Sequence, residues 1–132
     1  MKLRDQVVNL KLSKKLKKIG YPQKGLWYWK DFKEMGMEYK KGFRYGLMGI
    51  GGNWVVAVAP TVSELGELLP EGIDNKQLHI DKLPDIWGVR YTAFGQKGLY
   101  KTTQVEKNLV DTMAKMLIWL VEKNHLTFKK KK

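Results

Sequence analysis

The segment from Gln104 to Lys123 constrains the fold of this chain more than any other. Its apolar residues Val105, Leu109, Met113, Met116 and Leu120 recur every three to four positions, and Val110, Leu117 and Val121 widen the stripe. That period belongs to an amphipathic helix, whose apolar face must be buried against another element. The spacing predicts a helix over 104–123, opened by a capping box of Thr103 and Glu106. Asn124 suits the left-handed residue after its end, with Leu126 folding back as the apolar contact. A stripe this wide needs a broad partner, and a β-sheet is the natural one.

Strand patterns fill the middle of the chain. From Leu26 to Asp31, Trp27 and Trp29 share one face while Leu26 and Tyr28 share the other. Phe43 to Ile50 and Trp54 to Ala59 flank Gly51-Gly52-Asn53, where positive φ is cheap, and read as a β-hairpin. Gln77 to Lys82 and Ile86 to Ala93 read as two further strands, with turns at Asp74-Asn75 and Leu83-Pro84-Asp85. Gly95 and Gly98 bracket another turn before a short strand near Leu99 to Lys101.

Two shorter helices complete the pattern. The first runs from Lys14 to Ile19, with Ser13 as N-cap and Gly20 at the left-handed position beyond its end. The second follows a capping box of Thr61 and Glu64, reaches about Leu68 and stops before Pro70. The expected fold is α+β. It has an antiparallel or mixed sheet of about four to six strands, a long C-terminal helix, and shorter helices packed on one face. No repeat or linker interrupts residues 1–128, so they read as a single α+β domain with residues 129–132 as a basic tail.

Composition removes several classes of chemistry. The 132 residues include no cysteine, which excludes disulfides, thiolate catalysis and cysteine-bound metals. The longest apolar runs, Trp54 to Ala59 and Met116 to Val121, fall far short of the roughly 20 residues of a membrane span. The charged opening MKLRDQVVNLKLSKKLKK is no signal peptide. These features point to a protein of the reducing cytoplasm with no membrane association.

No motif selects an enzyme. Gly46-Leu-Met-Gly49-Ile-Gly51-Gly52 lacks the lysine and hydroxyl residue that a phosphate loop needs, and the β-branched WVVAVAP follows where a dinucleotide site needs a helix. His79 and His125 each lack a second ligand at metal-binding spacing. The carboxylates Glu64, Glu67, Glu71, Asp74, Asp81 and Asp85 form no diagnostic pair, so no cofactor or metal is expected.

Charge carries the remaining information. The net charge is +12, and residues 1–46 hold thirteen basic against four acidic side chains. The patch Lys11, Lys14, Lys15, Lys17, Lys18 and Lys24 contains no acidic residue and lies beside Trp27, Tyr28 and Trp29. Lysines attract phosphates and flat rings stack on unpaired bases, so these nine residues form a candidate nucleic-acid surface. The competing reading has the lysines solvating a surface helix while the rings fill the core.

Three segments together carry a resemblance: SKKLKKIGYPQ followed by WYW, then APTVSELGELLP, then AKMLIWLVEKNHL. In this order they resemble a group of small uncharacterised proteins encoded by phages and prophage-like elements. The resemblance implies a mobile-element origin and a bacterial host cytoplasm, and it assigns no residue a catalytic role. The expected function is binding rather than catalysis, with nucleic acid as the partner, a protein-interaction module as the alternative, and a small enzyme third.

Overall fold

The computed structural model describes residues 2–92 and 104–128. Thr103, the turn at Gly95 and Gly98, the expected strand near Leu99 and the tail 129–132 lie outside the described residues. The fold is α+β, with three α-helices among the described residues, α1 (Leu10–Lys18), α2 (Val62–Leu68) and α3 (Leu109–Glu122). The described strands divide between two antiparallel sheets rather than lying in one. β1 (Tyr28–Asp31), β2 (Tyr45–Met48) and β3 (Val55–Val58) form a three-stranded sheet in the order β2-β1-β3. β4 (Gly72–Ile73), β5 (Lys76–Lys82), β6 (Trp87–Thr92) and β7 (Gln104–Glu106) follow one another in the second.

The C-terminal helix begins five residues later than its stripe predicts. Gln104–Glu106 is β7, paired with β6 through Val89↔Gln104, Gly88↔Val105 and Trp87↔Glu106, and Val105 is exposed. A short run such as Gln-Val-Glu satisfies a period of two as well as one of 3.6, and pairing with the open edge of β6 decides between them. Asn108 is the real cap, its side chain accepting from the Asp111 N–H at 2.9 Å. From there the stripe is as expected: Val110, Met113, Met116, Leu117 and Leu120 are buried. Asn124 has φ 62°, and the N–H groups of Asn124 and His125 donate to Val121 and Leu120, closing the helix as a Schellman motif.

α1 begins earlier than expected. Asn9, not Ser13, caps it and accepts from the Leu12 N–H at 2.8 Å. Ser13 is buried inside the helix and donates its hydroxyl to the Val8 carbonyl at 3.1 Å. Asparagine and serine are equally good caps, and the earlier start brings Leu12 into the core. Gly20 closes α1 at φ 99°, with Gly20 and Tyr21 donating to Lys17 and Leu16. The Asn9 N–H also donates to the Asp111 carboxylate at 2.9 Å, tying the first turns of α1 and α3 together.

The expected hairpin is absent. β2 and β3 do not pair with each other, because β1 lies between them, matching Tyr28 to Met48 on one side and to Val58 on the other. The strand with the largest rings takes the centre, where a ladder on each edge and packing on each face bury most of its surface. Residues 49–54 therefore cross from one end of the sheet to the other, with Gly52 at φ 87° and Trp54 at φ 63°. A tight hairpin does occur at Asp74-Asn75, where both residues have positive φ and join β4 to β5.

A shared core joins these parts. Leu12 and Leu16 of α1, Val58 of β3, Leu65 of α2 and Val89 of β6 meet the buried face of α3. Tyr91 lies on the same core and donates its hydroxyl to the Pro70 carbonyl at 2.6 Å, and burial pushes its pKa up to about 12.

Candidate nucleic-acid interface

The expected lysine face exists. Leu12 and Leu16 turn α1 inward, which leaves Lys11, Lys14, Lys15, Lys17 and Lys18 exposed, with Lys24 exposed just beyond. No acidic residue lies in α1. Two of these lysines are anchored to the first sheet. Lys17 donates to the Val56 carbonyl at 3.0 Å, and the Lys14 ammonium sits 5.2 Å from the centre of the Tyr45 ring.

The ring residues beside the lysines do not form one surface. Trp29 is only 3% exposed, packs with Val7 and Ala59, and donates its indole N–H to the Val8 carbonyl at 3.0 Å. It is a core residue and offers no face to a base. Trp27 packs partly buried against the same cluster. Tyr28 points to the opposite face of the sheet, as strand alternation requires, where its hydroxyl accepts from the Gly25 N–H at 3.1 Å. Trp27 and Trp29 thus share a face as expected, but that face is covered.

Other rings take the place of Trp29 beside the lysines. Between β1 and β2, Tyr39 and Phe43 are exposed, along with Lys40 and Lys41. The Arg4 guanidinium lies 5.4 Å from the Phe43 ring and 5.1 Å from the Trp29 ring, and donates to the Tyr45 carbonyl at 2.8 Å. Arg44 stands 5.1 Å from the Tyr45 ring, so that ring carries two cations. Arg4, Lys14, Phe43, Arg44 and Tyr45 come from three separate segments and meet at the start of β2. Sequence reading missed this cluster because its members are 41 residues apart at the extremes and Arg4 and Lys14 meet Tyr45 only through tertiary contacts.

Asp31 holds the cluster in place. Its carboxylate takes a two-pronged contact from Arg44, Nε to Oδ1 at 2.9 Å and Nη2 to Oδ2 at 2.7 Å, and accepts the Lys33 N–H at 3.0 Å. The Arg44 hydrogen bond, above all, holds this carboxyl below the usual aspartate range. A lowered folded pKa gives stability that is present above the unfolded value and lost as pH falls through the folded one. The melting temperature should therefore drop as pH falls below about 4. Asp31→Asn should melt lower than the parent at neutral pH and lose less on acidification, a difference readable by calorimetry across that range.

Among the described residues, no group of three or more histidine, aspartate or glutamate side chains converges to hold a metal. His125 stacks on Trp119 at 5.3 Å, and Asp81 pairs with Arg90 at 2.8 Å. No helix among the described residues is long and apolar enough to cross a membrane. No family model matches the chain, and neither a curated protein nor a solved structure matches it.

Proposed function

We propose that this protein binds single-stranded nucleic acid across α1 and the start of β2, and that it works by binding rather than catalysis. The observation that carries this reading is the cluster in which Lys14, Arg4 and Arg44 stand against the rings of Tyr45 and Phe43. Exposed lysines of α1 would neutralise phosphates along one side. The half-exposed rings of Tyr39 and Phe43 would stack on unpaired bases. The resemblance to phage-encoded proteins suits an accessory protein handling nucleic acid in a bacterial host cytoplasm.

The test is an oligothymidylate titration at several salt concentrations, followed by fluorescence anisotropy. Affinity should fall with salt along a log–log slope of about −0.7 per phosphate contact. Changing Lys14, Lys15, Lys17 and Lys18 together to glutamine should flatten that slope and weaken binding, while shifting the melting temperature little. Phe43→Ala should reduce the preference for single strands over duplex. Deleting Lys129–Lys132 is the control, because four charges alone attract polyanions. If that deletion abolishes binding while the quadruple variant keeps it, the helix lysines only solvate the surface and the reading fails.

A further inference from the structure

Lys30 sits at the centre of β1 and is 5% exposed; among the described residues no other lysine is buried. Its ammonium donates to the Gly51 carbonyl at 3.1 Å and forms no ion pair among the described residues. A buried ammonium without a carboxylate is costly, and one carbonyl uses only one of its three donors. Its place in the fold suggests what completes it. Lys30 shares a sheet face with Tyr28 and stands opposite Val55 across the ladder. On that face the crossing segment 49–54 leaves an open groove of about 400 Å³, within the usual range of ligand sites. Lys17, Gln23, Lys24, Tyr28, Gly51 and Gly52 line it, and no carboxylate does.

The crossing segment adds a second observation. Trp54, next in the chain to Val55 of the groove, holds the left-handed conformation at φ 63° and is 51% exposed. A bulky residue rarely keeps that conformation, and such outliers gather at binding sites. A covered Trp54 would need no explanation beyond packing, but this one is strained and open to solvent together.

We infer that this groove is a phosphate subsite for one nucleotide, with Lys17 and Lys24 on its lining and Lys30 as a fixed charge behind it, bonded to the Gly51 carbonyl of that lining. The phosphate is that of a free nucleoside monophosphate or of a strand. The inference rests on the nucleic-acid reading for the strand as source, while the groove itself stands on Lys30 and the lining residues.

Calorimetric titration with thymidine 5′-monophosphate, thymidine and a short oligothymidylate tests it, on the parent chain and on Lys24→Gln and Lys30→Met. The monophosphate should bind and thymidine should not. Each variant should weaken the monophosphate and the oligonucleotide by about tenfold or more, a clear loss on the affinity scale. Lys30→Met should melt no lower than the parent, since it removes an unpaired buried charge. That combination separates a ligand-binding lysine from a structural one. If the oligonucleotide binds and both variants bind it as the parent does, the groove is overturned and the α1 surface survives. If the monophosphate binds through Lys24 and Lys30 but no oligonucleotide binds, the groove stands and the strand reading falls. If the parent binds no monophosphate, or Lys30→Met melts lower with unchanged affinity, the inference is overturned.

Discussion

Leu117→Asp should abolish cooperative unfolding or leave the protein insoluble. Leu117 is fully buried on α3, in the core shared by both sheets. The change removes an apolar side chain worth about 2–5 kcal/mol in such a site and puts a carboxylate into an apolar cluster. The combined loss approaches or exceeds the 5–15 kcal/mol that holds a typical domain together. Leu117→Ala keeps the first effect without the second, so it should fold and melt measurably lower. Lys123→Asp, at the exposed end of the same helix, should cost under about 1 kcal/mol through the helix dipole. Urea titrations followed by circular dichroism would rank the three. Similar midpoints for Leu117→Asp and Lys123→Asp would mean that the buried face of α3 is misassigned.

That face was legible in the sequence because the run from Leu109 to Leu120 repeats at the helical period without a break. The capping box at Thr61 and Glu64 was equally plain, and both of its hydrogen bonds form. The starts of α1 and α3 were harder, since serine, threonine and asparagine all compete for the cap. At Ser13 the hydroxyl finds the Val8 carbonyl instead, and at Gln104 the edge of β6 recruits the chain as a strand. These choices depend on partners distant in sequence, which local propensity does not register. The same holds for β1, whose insertion between β2 and β3 no turn residue announces.

Trp29→Ala should cost about 3–5 kcal/mol, the usual range for emptying a buried aromatic site. Trp29 fills the space between β1 and the N-terminal segment, beside Val7 and Ala59. Its indole shares the Val8 carbonyl with the Ser13 hydroxyl, so Trp29→Phe leaves that acceptor partnered and should cost much less. Oligonucleotide affinity measured where each variant is still folded should be unchanged for Trp29→Phe. Phe43→Ala should show the reverse, weaker binding at nearly constant melting temperature, because Phe43 is 54% exposed. If Trp29→Phe abolishes binding while remaining folded, the indole belongs to the interface and its core assignment is wrong.

Half of the candidate surface was visible in the sequence for a simple reason. The lysines of α1 are adjacent in the chain, and a buried Leu12–Leu16 face forces them outward. Rings carry no such signal, since a tryptophan on a strand looks alike whether its face is covered or open. Trp29 is covered by the segment around Val7 and Val8, whereas Phe43 and Tyr39 are left outside. Arg4 and Arg44 gain meaning only once the register of β1 with β2 sets Asp31 against Tyr45.

The central position of β1 also governs the order in which the first sheet assembles. Adjacent strands in a meander zip outward from a short turn, at small cost in chain entropy. Here β2 and β3, neighbours in sequence, hold no hydrogen bonds in common and cannot template each other. Each ladder must wait for β1, one after closing residues 32–44 and the other after closing 32–54. Loops of that kind raise the contact order and slow the search. Residues 49–54 have to span the sheet from one edge strand to the other, so the path of the segment carrying Gly52 and Trp54 is set only when both ladders on β1 are in place.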